Sequence, residues 1–113
     1  MHEMALCEYV LQVLEEESGR QGYVRVERVR LEVGALSCVE KEALRFSFEA
    51  VARGSLAEGA RLELRDAPGQ GWCGMCEETV TLRSLADPCP RCGGFELTLT
   101  RGLGLRIKDL DVV

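Results

Sequence analysis

Two pairs of cysteines constrain this chain more than any other feature. Cys73-Gly74-Met75-Cys76 and Cys89-Pro90-Arg91-Cys92 each place two residues between thiols, and twelve residues separate the pairs. Two intervening residues let a tight turn aim both sulfurs at one point. Two such turns facing each other make a tetrahedron of thiolates, which Zn(II) accepts at about 2.3 Å per bond. Gly93 and Gly94 follow the second pair, where such a turn often needs a left-handed backbone. Val80-Thr81-Leu82 and Phe95-Glu96-Leu97-Thr98-Leu99 read as the strands of a ribbon around the site. Four cysteines, Cys73, Cys76, Cys89 and Cys92, close the coordination sphere, so the expected ion is structural zinc rather than a catalytic metal.

The segment that carries these motifs, residues 68–100, is poor in apolar side chains. Trp72, Met75, Val80, Leu82, Leu85, Phe95, Leu97 and Leu99 are its candidates for a core. Ordering such a stretch costs more than those side chains return, and a structural zinc adding roughly 10–16 kcal/mol decides whether it folds. The N-terminus reaches Glu8 without the charged region and long apolar run of a leader, and no apolar stretch is long enough to span a bilayer. The expectation is a cytoplasmic protein with no membrane partner. Reduced thiols there favour metal over disulfides for the six cysteines. The same two turns also hold iron, which leaves a four-cysteine iron electron carrier as an alternative.

The remainder reads as α+β. Met4, Cys7, Val10, Leu11 and Leu14 recur at helical spacing, and Gly19 and Gly22 mark the end of that helix. Val29, Leu31 and Val33 alternate with Arg28, Arg30 and Glu32 as a strand with one wet face requires; Val24 and Val26 are out of phase with them. Ser37 and Glu40 fit a capping box at the start of a second helix, which reaches about Ala52 before Gly54. Leu62 and Leu64 mark another strand, and Leu103, Leu105 and Ile107 a last one. We expect two helices on a small mixed sheet with a four-cysteine zinc-ribbon domain inserted: one discontinuous α+β domain, 1–67 plus 101–113, and a ribbon domain, 68–100.

His2 is the sole histidine. A free Met1 amine, the His2 backbone nitrogen and the His2 imidazole lie close enough to chelate one ion, and the Glu3 backbone nitrogen completes a plane of four. That is the geometry of Ni(II) and Cu(II), not of zinc. The Glu3 carboxylate stands beside such a site as an extra ligand or an acceptor. On these grounds alone, a solvated terminus that binds nothing is the commoner outcome.

Met1-His2-Glu3, the run Gly34-Ala35-Leu36-Ser37-Cys38-Val39-Glu40, Gly54-Ser55-Leu56-Ala57-Glu58-Gly59-Ala60, the paired C-x-x-C motifs and Arg106-Ile107-Lys108-Asp109-Leu110 occur in one order along the chain. As an ordered set they resemble the HypA/HybF family of hydrogenase maturation proteins. The resemblance implies an α+β nickel-binding domain with an inserted zinc domain, and transported Ni(II) held by Met1, His2 and Glu3 with His2 indispensable. It also implies a nickel-binding partner GTPase of the HypB type, delivery to the [NiFe]-hydrogenase large subunit, and service to urease in some organisms. Neither cysteine pair is flanked by histidine, so a pH switch by Cys/His exchange at the zinc has no residue to use.

Other residues read as structural. Cys7 falls on the first helix's buried stripe, Cys38 follows the cap, and Met4 and Met75 are packing residues. Trp72 is expected to pack on the ribbon or the domain junction, and Glu15-Glu16-Glu17 to form a solvated face. No nucleophile with a base and no phosphate-binding loop is present, so the expectation is a non-enzymatic metallochaperone, monomer or homodimer. A zinc-ribbon module for protein or nucleic-acid contacts is the alternative from another class. The net charge of -5, and a ribbon with Arg83, Arg91 and Arg101 against Glu77, Glu78, Asp87 and Glu96, count against phosphate binding.

Overall fold

The computed structural model describes residues 3–113. Helix α1 spans Glu3–Gln21 and α2 Lys41–Ala52. Strands follow as β1 (Val26–Gly34), β2 (Arg61–Ala67), β3 (Gly69–Cys73), β4 (Glu78–Leu82), β5 (Leu97–Arg101) and β6 (Leu105–Val112). They form two three-stranded sheets, ordered β2-β1-β6 and β4-β3-β5. The expected α+β architecture is present, with β3, β4 and β5 inserted between β2 and β6.

The chain divides into two compact units: residues 1–31, 39–64 and 107–113, and residues 32–38 with 65–106. In the first, α1 packs on α2. Its buried side chains are Cys7, Val10 and Leu14 of α1, Leu44, Phe48 and Ala52 of α2, Val26, Val29 and Leu31 of β1, and Tyr23 and Ala57 between elements. The Tyr23 hydroxyl donates to the Leu14 carbonyl at 2.6 Å, which satisfies a polar tip that would otherwise be costly inside. β1 starts at Val26, and the buried set steps by three residues from Val26 to Val29 before settling into steps of two. Val24 lies before the strand and is exposed.

Helix α1 runs through Gly19 and stops at Gly22, whose amide donates to Ser18 O at 2.8 Å. The start of α2 differs from expectation. Glu40, not Ser37, is the cap: its carboxylate accepts from Glu42 N at 3.2 Å and Ala43 N at 2.7 Å. The Ser37 hydroxyl instead donates to Gly34 O at 2.6 Å. Cys38, at φ 60°, turns the chain left-handed, so residues 34–38 form a turn and helical geometry begins only after Glu40.

In the second unit β3 is the central strand, antiparallel to both β4 and β5. Cys73 faces Glu78 on one side and Leu97 on the other. The core is small: Leu36, Val80, Leu82, Cys73 and Cys89 are buried, with Cys76, Leu97 and Leu99 packed against them. Three backbone bonds fasten the segment that carries Leu36: Gly34 N to Gly104 O, Ala35 N to Ala67 O, and Leu36 N to Gly102 O, at 2.8, 2.9 and 2.8 Å. A side chain has no room in this crossing, because a Cβ on Gly34 would stand 2.3 Å from Gly102 O.

Candidate metal centres

The two cysteine turns are built alike. In each, the carbonyl of the first cysteine accepts an amide four residues later, Glu77 N to Cys73 O and Gly93 N to Cys89 O, both at 2.8 Å. The residue that closes each turn is left-handed: Gly93 at φ 74° and Glu77 at φ 54°. Glycine takes that conformation without penalty, whereas glutamate accepts local strain to do so. The two turns are brought face to face by β3, which ends on Cys73, and by the return of the chain through Gly74 N to Glu96 O at 2.9 Å.

All six cysteines are free thiols, and the Sγ atoms of Cys73, Cys76, Cys89 and Cys92 lie within 4.8 Å of one another. Cys73 Sγ is 3.7 Å from Cys92 Sγ, and Cys76 Sγ is 3.9 Å from Cys89 Sγ. A tetrahedral zinc with bonds of about 2.3 Å sets its sulfurs about 3.8 Å apart. Donor type, number and spacing therefore fit a structural Zn(II).

Backbone amides point at two of the sulfurs, and the thiols are driven in opposite directions, Cys89 down and Cys76 and Cys92 up. Cys76 N donates to Cys73 Sγ, and Gly94 N to Cys92 Sγ, each at 3.4 Å. The amide of Cys92, and after it that of Arg91, draws the Cys89 thiol down to about 7 against the opposing effect of burial. Cys76 moves the other way, to about 12, mainly through desolvation and then through hydrogen bonding with the three other thiols. Four thiols crowded together cannot all ionise without a cation among them.

Met1 and His2, the expected nickel ligands, lie outside the described residues. Glu3 begins α1, and its carboxylate accepts from the Glu40 amide at 3.2 Å. Residue 3 of the terminal tripeptide is thereby held at the residue that caps α2. Nothing in the string of residues pairs these two, because the one available signal, an acidic residue ahead of an apolar helix, reads as part of the capping box. Cys7 is buried, with its thiol directed at Leu44 O at 3.4 Å, as a core residue should be. Cys38 is an exposed thiol. Met4, Met75 and Trp72 are 40%, 69% and 44% exposed, so the two methionines are not packing residues and the tryptophan is only partly covered.

An α+β scaffold with an inserted ribbon that gathers four thiols around one point defines a zinc-ribbon metalloprotein. Residues 1–112 match the family described as hydrogenase/urease nickel incorporation, metallochaperone, hypA. The hydrogenase maturation factor HypA of Azotobacter chroococcum mcd 1 is 52% identical over 112 residues, covering 99% of both chains. That of Alkalilimnicola ehrlichii is 54% identical over the same share. The solution structure of the Ni metallochaperone HypA from Helicobacter pylori superposes with a TM-score of 0.77 at 23% identity, over all of this chain and 98% of that one, a likeness of fold. The chain belongs to the HypA family of hydrogenase maturation factors. Among the described residues, no helix is long and apolar enough to cross a membrane.

Proposed function

We propose that this chain is a cytoplasmic, non-enzymatic nickel metallochaperone that binds Ni(II) through Met1, His2 and Glu3. It delivers the ion, with a HypB-type partner GTPase, to the large subunit of a [NiFe]-hydrogenase. The observation that carries this reading is the match, from end to end and at about half identity, to HypA maturation factors. The nickel function belongs to residues 1–67 with 101–113. Residues 68–100 hold structural zinc on Cys73, Cys76, Cys89 and Cys92.

The chemistry supports dividing the metals this way. Nitrogen donors in a plane select Ni(II), and the terminal amine, two backbone nitrogens and the imidazole of His2 supply them. The Glu3 carboxylate on the Glu40 amide ties this end of α1 to the start of α2. A terminal site also suits a carrier, because peptide nitrogens are reprotonated when a partner competes for the ion.

Titrating tag-free, zinc-loaded protein with Ni(II) beside His2→Ala tests the proposal. One nickel per wild-type chain is expected, lost in the variant with zinc retained. Equal binding by both proteins, or nickel bound only by displacing zinc, would refute the terminal site.

A further inference from the structure

The ribbon is short of core, yet it keeps large apolar side chains outside. Its buried aliphatics are Val80 and Leu82, completed by Leu36 from far along the chain, while Met75 and Phe95 are 69% and 73% exposed. The fold brings these two residues together. β3 and β5 pair antiparallel with Trp72 opposite Thr98 and Cys73 opposite Leu97, and the bond from Gly74 N to Glu96 O at 2.9 Å carries that pairing one step further. Met75 and Phe95 are opposite residues at the next step, beside the four thiols. A bond from Leu97 N to Phe95 O at 2.8 Å folds the backbone that carries Phe95.

The charges at this end of the ribbon are almost all of one sign. Glu77 and Glu96, both exposed, flank the pair. Arg91 is the sole cation in the two cysteine turns and their flanks, 73–78 and 89–97, and it is paired with Glu78. Four thiolates around Zn(II) leave two further negative charges. The ribbon's other arginines belong to its far end, where Arg101 stands opposite Gln70 and Arg83 follows Leu82, the partner of Gly69.

We propose that Met75 and Phe95 are the apolar centre of a docking surface for a partner-protein segment that alternates apolar and basic side chains. An apolar centre inside a charged rim is the anatomy of a protein interface. Methionine adapts its shape to what it meets, and an aromatic ring offers a cation its face as well as its area. The sign of the rim selects the occupant. An anionic bilayer surface or a nucleic acid would be repelled, because the single arginine here is already committed to Glu78. A second copy of the chain would bring the same excess of negative charge, on a net charge of -5. A basic segment instead gains from each carboxylate of the rim and from the thiolates behind it. The proposal is independent of the nickel assignment, since it uses residues of the ribbon alone.

The test is a titration of ¹⁵N-labelled, zinc-loaded full-length protein with an acetylated hexapeptide of alternating leucine and arginine, followed by amide shifts. The matching leucine–glutamate peptide is titrated in parallel. The expected result is saturable movement of the amides of Gly74 to Glu77 and Gly94 to Glu96, absent with the glutamate peptide and weakening as salt rises. Affinity should fall about tenfold in M75S/F95S and at least about threefold in E77Q/E96Q. All four side chains are exposed, so both variants should keep their zinc and the wild-type spectrum elsewhere. Shifts confined to the acidic surface of α1, undiminished binding by M75S/F95S, or equal binding of the glutamate peptide would each overturn the proposal. So would movement of the same amides when the protein alone is concentrated, or on adding phosphatidylglycerol vesicles, since either would assign the patch to another occupant.

Discussion

Replacing Leu36 with alanine should weaken zinc binding although Leu36 lies far in sequence from every cysteine of the site. Leu36 is 2% exposed and supplies one of three buried aliphatic side chains in the core around the zinc cysteines, the others being Val80 and Leu82. The cavity left behind has little means of closing. One wall is the backbone of β3, where a Cβ built on Gly69 would come within 2.6 Å of Leu36 Cγ. Truncation of a buried leucine costs about 2–5 kcal/mol, and a wall of strand backbone argues for the middle of that range, about 3 kcal/mol. In a metal-dependent ribbon, binding energy is folding energy, so the loss appears in the metal affinity. At about 1.4 kcal/mol per factor of ten, Leu36→Ala should bind zinc about 100-fold more weakly.

Competition against a chromophoric chelator at neutral pH measures this directly. Leu36→Met, which keeps the volume, serves as the control and should stay within about tenfold of wild type. If Leu36→Ala holds zinc as tightly as wild type within about threefold, either Leu36 is not part of the ribbon's core or the ribbon folds without its metal. The argument fails in both cases.

Two further outcomes follow from the same structure. Burial first, then the charges of Glu3 and Glu8, raise the Cys7 thiol from 9.0 to about 11. The folded state therefore retains a proton that the unfolded chain has lost. That contribution is whole below pH 9 and disappears as pH rises through about 11, so in urea denaturation the stability of wild type should fall relative to Cys7→Ala between those values; parallel curves would show that Cys7 is not desolvated. Gly34→Ala should cost about 3 kcal/mol or more, because its Cβ meets the Gly102 carbonyl at 2.3 Å with backbone on both sides of the clash. A thermal midpoint within a degree or two of wild type would mean that this crossing is loose.

How far these features could be read from the sequence depended on how locally they are encoded. The cysteine turns are legible because two intervening residues suffice to make a knuckle, and the four sulfurs meet as expected. The helices are legible from their periodicity, though α2 begins on the Glu40 carboxylate, since a left-handed Cys38 is not visible in a string of letters. β3 was missed because Gly69-Gln70-Gly71-Trp72 has neither alternation nor strand propensity; it is a strand because β4 and β5 pair with it on either side. The ribbon's core was misjudged for a related reason. Trp72, Met75, Leu85 and Phe95 look like core by composition, yet all four are exposed, while Leu36 arrives from outside the cysteine segment. Long-range pairing has no local signature, and the sequence alone assigns such residues to the wrong neighbours.

The metal assignment has a physical consequence for a chain that would handle two similar divalent ions. Nickel and zinc are near neighbours in intrinsic affinity, so ligand type and geometry must keep them apart. The four thiols that a soft divalent ion would seek are drawn into one cluster, with Cys73 and Cys89 buried and opposite sulfurs at 3.7 and 3.9 Å. Square-planar nickel would have to flatten that cluster, pushing two sulfur pairs apart to the full diameter of the plane. The turns fix where the cysteine backbones stand, with the amides of Glu77 and Gly93 bonded to the carbonyls of Cys73 and Cys89. The sulfur spacing thus suits the tetrahedron that zinc accepts. On the proposed reading, the one imidazole in the chain is left to the ion that prefers nitrogen.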